Sequence, residues 1–292
     1  MRHLWLLVAA ILLWQQAPAP DAMNLQAPAR VEPQPLAANI ERLIEALNFL
    51  GAPLPGELRA DLVRAGQARD AARLQTLLDT RVLLTVHINP EARVRVARGA
   101  APAVLQQSGY TPVLVKVLND SRGTQRLRIA SPQAGPVYAG MSKLAGERMQ
   151  QAHLRENENV AGRTDRFLEL EMFTAPPMTA NLSGLDVEYA VALIYASESG
   201  QREATITFDV GQGTQDLGFR SEAPVLFTVK PAVAVKLSVQ DHDGSPTTAR
   251  LQFVDRYGHV FPPQAKRLAP DLFFQKHIYR MHGETVLLPP AE

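Results

Sequence analysis

The chain has 292 residues, 46% of them apolar, and no cysteine, so disulfides cannot hold it together and its stability must come from packed cores. Thirty basic and 29 acidic residues nearly cancel and are scattered along the sequence, which leaves no electrostatic footprint for nucleic acid or anionic lipid. The length suits roughly two or three domains, each able to bury an apolar interior.

Met1-Arg2-His3 is a positive start, Leu4 to Trp14 an unbroken apolar run, and Gln15 to Ala22 a segment rich in small and polar residues. That is the pattern of a secretory signal peptide over residues 1–22, with cleavage expected after Ala19 or Ala22. The apolar run is about half of the roughly 20 residues that span a bilayer, so no stable membrane span is expected after cleavage, and the expected location is secreted or periplasmic. Residues 23–35, rich in Pro, Ala and Gln without an apolar period, read as a linker.

Leu36, Ile40, Leu43, Ile44, Leu47 and Leu50 mark one face of an amphipathic helix, ended by Gly51, Pro53 and Pro55. A second helical stretch carries Leu58, Leu62 and Val63, then Leu74, Leu77 and Leu78, with Gly66 expected as a break. Residues 36–80 thus read as a helical hairpin.

From Arg81 the apolar period becomes two, the period of a strand half-buried against a core. Strands are predicted at residues 82–88, 92–97, 111–118, 125–129, 167–173, 187–195, 204–210 and 225–229. Asn89-Pro90 supplies a turn, and hairpins are expected at residues 119–123 and 197–201. Eight short strands across residues 81–230 suggest an immunoglobulin- or fibronectin-like β-sandwich, with a helical or irregular insertion near residues 141–159. After Pro231 the alternation restarts through Val235, Leu237 and Val239, then Ala249, Leu251 and Phe253, Val260-Phe261, and finally Val286 to Leu288. This makes residues 231–292 a small second sandwich, and roughly sixty residues is near the lower limit for an independent core. The predicted fold class is therefore mainly β: a helical hairpin followed by two β-sandwiches.

Candidate chemistry is sparse. Gly211-Gln212-Gly213-Thr214 looks like a phosphate loop, but a strand rather than a helix follows, so no cofactor is expected there. Asp241-His242-Asp243-Gly244 resembles the start of a calcium loop, yet Ser245-Pro246-Thr247 stands where further carboxylates are needed. Asp241, Asp243 and His259 are the only metal candidates, and a plain turn is the preferred reading of the first two. His242, His259, His277 and His282 show neither HxH nor HExxH spacing. No GxSxG elbow occurs, so no catalytic residue is assigned, although a dispersed triad is recognised only by geometry. Asn181-Leu182-Ser183 fits a glycosylation sequon and reads as coincidental. Tyr189, Tyr195, Tyr257, Phe261, Phe273, Phe274 and Tyr279 are expected mainly to fill cores.

Four phrases together carry a resemblance: INPEARVRV (88–96), SPQAGPVYAG (131–140), ATITFDVGQGTQDLGFR (204–220) and DHDGSPTTARLQFVDRYGHVFPPQAKRLAPDLFFQ (241–275). The chain from about residue 36 resembles the N-terminal, non-catalytic region of secreted bacterial metallohydrolases of the CehA/McbA type, whose catalytic domain is similar to the PHP phosphoesterases. Residues 232–292 also look like a carboxypeptidase-regulatory-like, transthyretin-type sandwich. The family's metal ligands lie in a later domain, so none maps onto a position here, and a divalent metal is expected only downstream. The resemblance implies an exported accessory region, either a piece of a longer enzyme or a region that exists alone. Its implied partner is a downstream or separate metallohydrolase domain. Alternatives are a free-standing periplasmic or cell-surface module for carbohydrate or peptide, and a hydrolase built from dispersed residues.

Overall fold

The computed structural model describes residues 28–135, 166–211, 220–261 and 276–290. The predicted signal peptide, the predicted insertion near 141–159, the phosphate-like loop beyond Gly211, and Phe273 and Phe274 lie outside the described residues. The described protein is mainly β, with three helices ahead of several β-sheets.

Helix α1 (Pro33–Phe49) starts on Pro33, whose fixed φ suits the first helical turn, so the helix takes in the end of the predicted linker. Gly51 closes it as expected: at φ 67° its amide and that of Ala52 bond back to Asn48 and Leu47. Helix α2 (Gly56–Gln67) runs through Gly66, which is no break; a Cβ there would touch Ala37 of α1 at 3.5 Å. The chain turns three residues later at Arg69 (φ 54°), where the Arg69 and Asp70 amides bond to Gly66 and Ala65. Asp70 then caps α3 (Ala71–Asp79), its Oδ1 accepting from the Arg73 amide at 2.8 Å. The expected hairpin is therefore three helices.

Fifteen strands follow among the described residues: β1 (Val82–Ile88), β2 (Val94–Arg98), β3 (Val104–Gln106), β4 (Gly109–Asn119), β5 (Arg128–Ala130), β6 (Leu168–Met172), β7 (Val187–Ala196), β8 (Gly200–Asp209), β9 (Glu222–Lys230), β10 (Val233–Lys236), β11 (Thr248–Leu251), β12 (Phe253–Val254), β13 (Val260–Phe261), β14 (Ile278–Met281) and β15 (Thr285–Leu288). A five-stranded sheet has the order β2-β1-β4-β7-β6, and a four-stranded sheet the order β3-β9-β8-β5. Pairs β1–β4 and β3–β9 are parallel and the other pairs in these sheets antiparallel.

The two sheets face each other across one core. Leu84, Val86, Val115, Val117 and Ile194 of the larger sheet meet Ile206, Phe208, Val225, Phe227 and Val229 of the smaller. The opposite face of the larger sheet is also buried: Val82, Leu114, Val187, Tyr189 and Val191 pack against Leu36, Ile40, Leu43, Leu74 and Leu78 of the helices. The result is helices, inner sheet and outer sheet in three layers. Only the outer sheet keeps the clean alternation of a half-buried strand, as along β9.

Two expected hairpins are not hairpins. β4 and β7 sit inside the larger sheet with both edges paired, so neither can accept the strand that follows it. Residues 119–123 and 197–199 instead carry the chain to the other sheet. The first crossing is tied by Asn119 Nδ2 donating to the Gly123 carbonyl at 2.9 Å and by Ser121 Oγ donating to Asn119 Oδ1 at 2.7 Å. The turn at Asn89-Pro90 does join a paired hairpin, β1–β2.

From Val233 the described strands form three two-stranded ribbons, β10–β15, β11–β14 and β12–β13. Among their described apolar residues only Val260 and Val286 are buried. One ribbon is fastened to the helical layer, the Val260 amide donating to the Gly51 carbonyl at 2.8 Å.

Candidate functional site

The polar groups worth attention lie between the helices and the larger sheet, not in the C-terminal turns that carry the sequence-level metal candidates. Asp241 is exposed, its Oδ1 accepting from the amide and ring Nδ1 of His242, which hold its carboxyl below the usual carboxylate range. Asp243 Oδ1 accepts from the hydroxyl and amide of Ser245, with the same effect. Gly244, at φ 85°, completes this turn, so the two carboxylates are occupied in shaping it. His259 sits in a different turn, its Nδ1 2.7 Å from Asp255 Oδ2 while its amide donates to Asp255 Oδ1 at 2.8 Å. Among the described residues no three His, Asp or Glu side chains converge as a metal site would require.

Beneath the helices, three groups converge on Tyr189. β6 ends at Met172, and after the Phe173 amide has bonded to Val191 it leaves the β7 edge bare at Tyr189. The Asn39 side chain of α1 fills that gap as a short substitute for a strand. Its Oδ1 accepts from the Tyr189 amide at 2.7 Å and its Nδ2 donates to the Tyr189 carbonyl at 3.1 Å. A buried backbone pair is thereby satisfied without a neighbouring strand.

The Tyr189 ring points into the helical layer and is fully buried. Its hydroxyl donates to Asp79 Oδ1 at 2.8 Å, and Lys116 Nζ donates to Asp79 Oδ2, also at 2.8 Å. Lys116 lies opposite Tyr189 on neighbouring strands, its ammonium 5.9 Å from the ring centre. Asp79 is the last residue of α3, where the helix dipole disfavours a carboxylate, and the Lys116 charge compensates it. Burial, and next the Asp79 charge and hydrogen bond, push the Tyr189 phenol above its ordinary value, so it stays a proton donor.

One residue before Tyr189, Glu188 lies in a shallow groove lined by Asn39, Arg42, Phe173, Thr179 and Asn181. The enclosed space is about that of one or two water molecules, well short of a typical small-molecule pocket. Both Glu188 oxygens accept from the Ser183 amide at 3.1 Å, and Oε2 also accepts from the Ser183 hydroxyl at 2.8 Å. The third residue of the sequon, itself exposed, is thus bonded to Glu188.

Burial pushes the Glu188 carboxyl up from its ordinary value of 4.5, against the opposing pull of Ser183 and of the Arg42 charge. The folded state therefore binds this proton more tightly than the unfolded chain, and stability contributed by this site falls as pH rises above the ordinary carboxylate value. Replacing Glu188 with Gln removes the titration. Urea midpoints from pH ~4 to ~7 are expected to move in favour of the Glu188→Gln variant, relative to wild type, as pH increases. A difference independent of pH would contradict the assignment.

At the other end of the sheet, the Tyr110 hydroxyl donates to Glu169 Oε2 at 2.6 Å, and the Tyr110 and Tyr195 rings pack 5.4 Å apart. Of the aromatic residues read as core fillers, Tyr189 is buried and Tyr195 half-buried, whereas Tyr257 and Tyr279 are exposed. No helix among the described residues is long and apolar enough to cross a membrane. No protein-family model matches the chain, and no curated protein shows significant similarity to it.

Proposed function

We propose that this chain is an exported, non-catalytic scaffold that packs against a metal-dependent hydrolase domain, either further along the same polypeptide or on a separate one. In this reading residues 81–230 are an immunoglobulin- or fibronectin-like sandwich and residues 231–292 a transthyretin-type one. The observation that carries the proposal is the distribution of exposed apolar side chains. Of eleven large ones among the described residues, seven lie on the C-terminal segment: Val233, Val235, Val254, Tyr257, Tyr279, Met281 and Leu287. A thin unit with a wet apolar surface, fastened to a well-buried three-layer body, suits a segment that completes its packing on a partner domain.

The purified chain is expected to bind no stoichiometric zinc or manganese and to leave phosphomonoesters and phosphodiesters uncleaved. Stoichiometric metal together with turnover would overturn the proposal. The alternative, a carbohydrate- or peptide-binding module, draws on the polar rim of the groove at Arg42, Thr179 and Asn181. Hits on a glycan or peptide array that disappear in Arg42→Ala would favour it.

A further inference from the structure

Lys116, Asp79 and Tyr189 bring an amine, a carboxyl and a hydroxyl donor together in a site largely screened from water. The Lys116 side chain is 5% exposed and that of Asp79 15%. Lys116 stands on a central strand and Asp79 at the end of a packed helix, so neither can drift from the other. A buried ion pair is poor value as a stabiliser, because desolvation cancels most of its attraction, and an apolar pair of similar volume does as well or better. The chain also has no cysteine with which to pin its layers together.

We propose that Lys116 and Asp79 become joined by an amide bond between Nζ and Cγ, formed within the folded chain with the Tyr189 hydroxyl as the activating donor. Proton transfer within the pair yields a neutral amine and a carboxylic acid, the forms that react. The amine lone pair attacks Cγ while Tyr189 O–H stabilises the negative charge developing on Oδ1, which it already contacts at 2.8 Å. The Cγ–Oδ2 bond breaks, and Oδ2 departs as water with the carboxyl proton and one proton from nitrogen. Nothing is oxidised or reduced and no co-reactant is needed. The 2.8 Å contact of Nζ with Oδ2 holds the amine beside the carboxyl group it attacks, the proximity that amide formation without external activation requires. Burial keeps the Tyr189 phenol protonated, as this role requires. The bond would fasten the helical layer to the middle of the larger sheet.

Peptide mapping of the full-length protein tests this directly. Trypsin is expected to release residues 74–81 and 99–122 as one branched peptide, uncut after Lys116 and lighter than the sum of its parts by one water. Intact mass should show the same loss. In Tyr189→Phe, which keeps the ring and drops the hydroxyl, the missing water should return. Recovery of residues 74–81 and 99–116 from the wild-type protein as separate peptides of unmodified mass would overturn the proposal. That result does not depend on whether any variant folds.

Discussion

Asn39→Ala is expected to lower the free energy of unfolding by about 3 kcal/mol, because it strips the amide and carbonyl of Tyr189 of their partners at once, and each orphaned buried group costs ~1–3 kcal/mol. The side chain being removed is itself almost wholly buried, so water reaches the site only if the helix moves. Asn39→Asp keeps the shape and the acceptor but loses the donor to the Tyr189 carbonyl, and is also expected to destabilise. Urea denaturation provides the measurement: a lower midpoint with an unchanged slope marks a loss of stability in an otherwise intact fold. Asn39→Ala within about 0.5 kcal/mol of wild type would mean that the edge of β7 has another partner.

Asp79→Ala is expected to be at least as damaging, costing about 3–5 kcal/mol, since it leaves the Lys116 ammonium buried without a counter-charge and removes the acceptor of the Tyr189 hydroxyl. The companion experiment replaces both partners, Asp79→Leu with Lys116→Met. The double variant should be more stable than Asp79→Ala alone, because no uncompensated charge remains under the helices. A single variant as stable as the double would show that Lys116 reaches solvent after the loss of Asp79.

Much of the architecture is legible in local signals. The apolar stripe from Leu36 to Leu50 and the Gly51 cap define α1, and the runs from Val82 onward locate the strands of the inner sheet to within a few residues. The three-residue strand β3 offers no periodicity to read, since three residues cannot establish an alternation. Burial on both faces left its own mark. Val82-Leu83-Leu84-Thr85-Val86, Val113-Leu114-Val115-Lys116-Val117 and Val187 to Tyr195 are nearly continuous apolar runs, the pattern of strands covered on two sides. A reading that expects one wet face treats those runs as ordinary sandwich strands.

The polar centre had signals as well, of a weaker kind. Asn39 interrupts the apolar stripe of α1, Lys116 stands alone inside an apolar run, and Glu188 opens one. A polar residue at a position whose neighbours are all buried must find a partner, and here each does. The acidic turn at Asp241 and Asp243 was the more conspicuous feature, yet its carboxylates are used by the next few residues of the chain.

By itself the sequence determined where most of the helices and strands form and where α1 stops, because those outcomes depend on side-chain period and on φ preferences over a handful of neighbouring residues. Only the tertiary structure decided which sheet each strand joins and who meets whom beneath the helices. Asn39 finds Tyr189 across 150 residues, Tyr189 finds Asp79 across 110, and Lys116 finds Asp79 across 37. Such meetings follow from which sheet edges are already occupied and which faces are left to cover, conditions that exist only after the layers have come together.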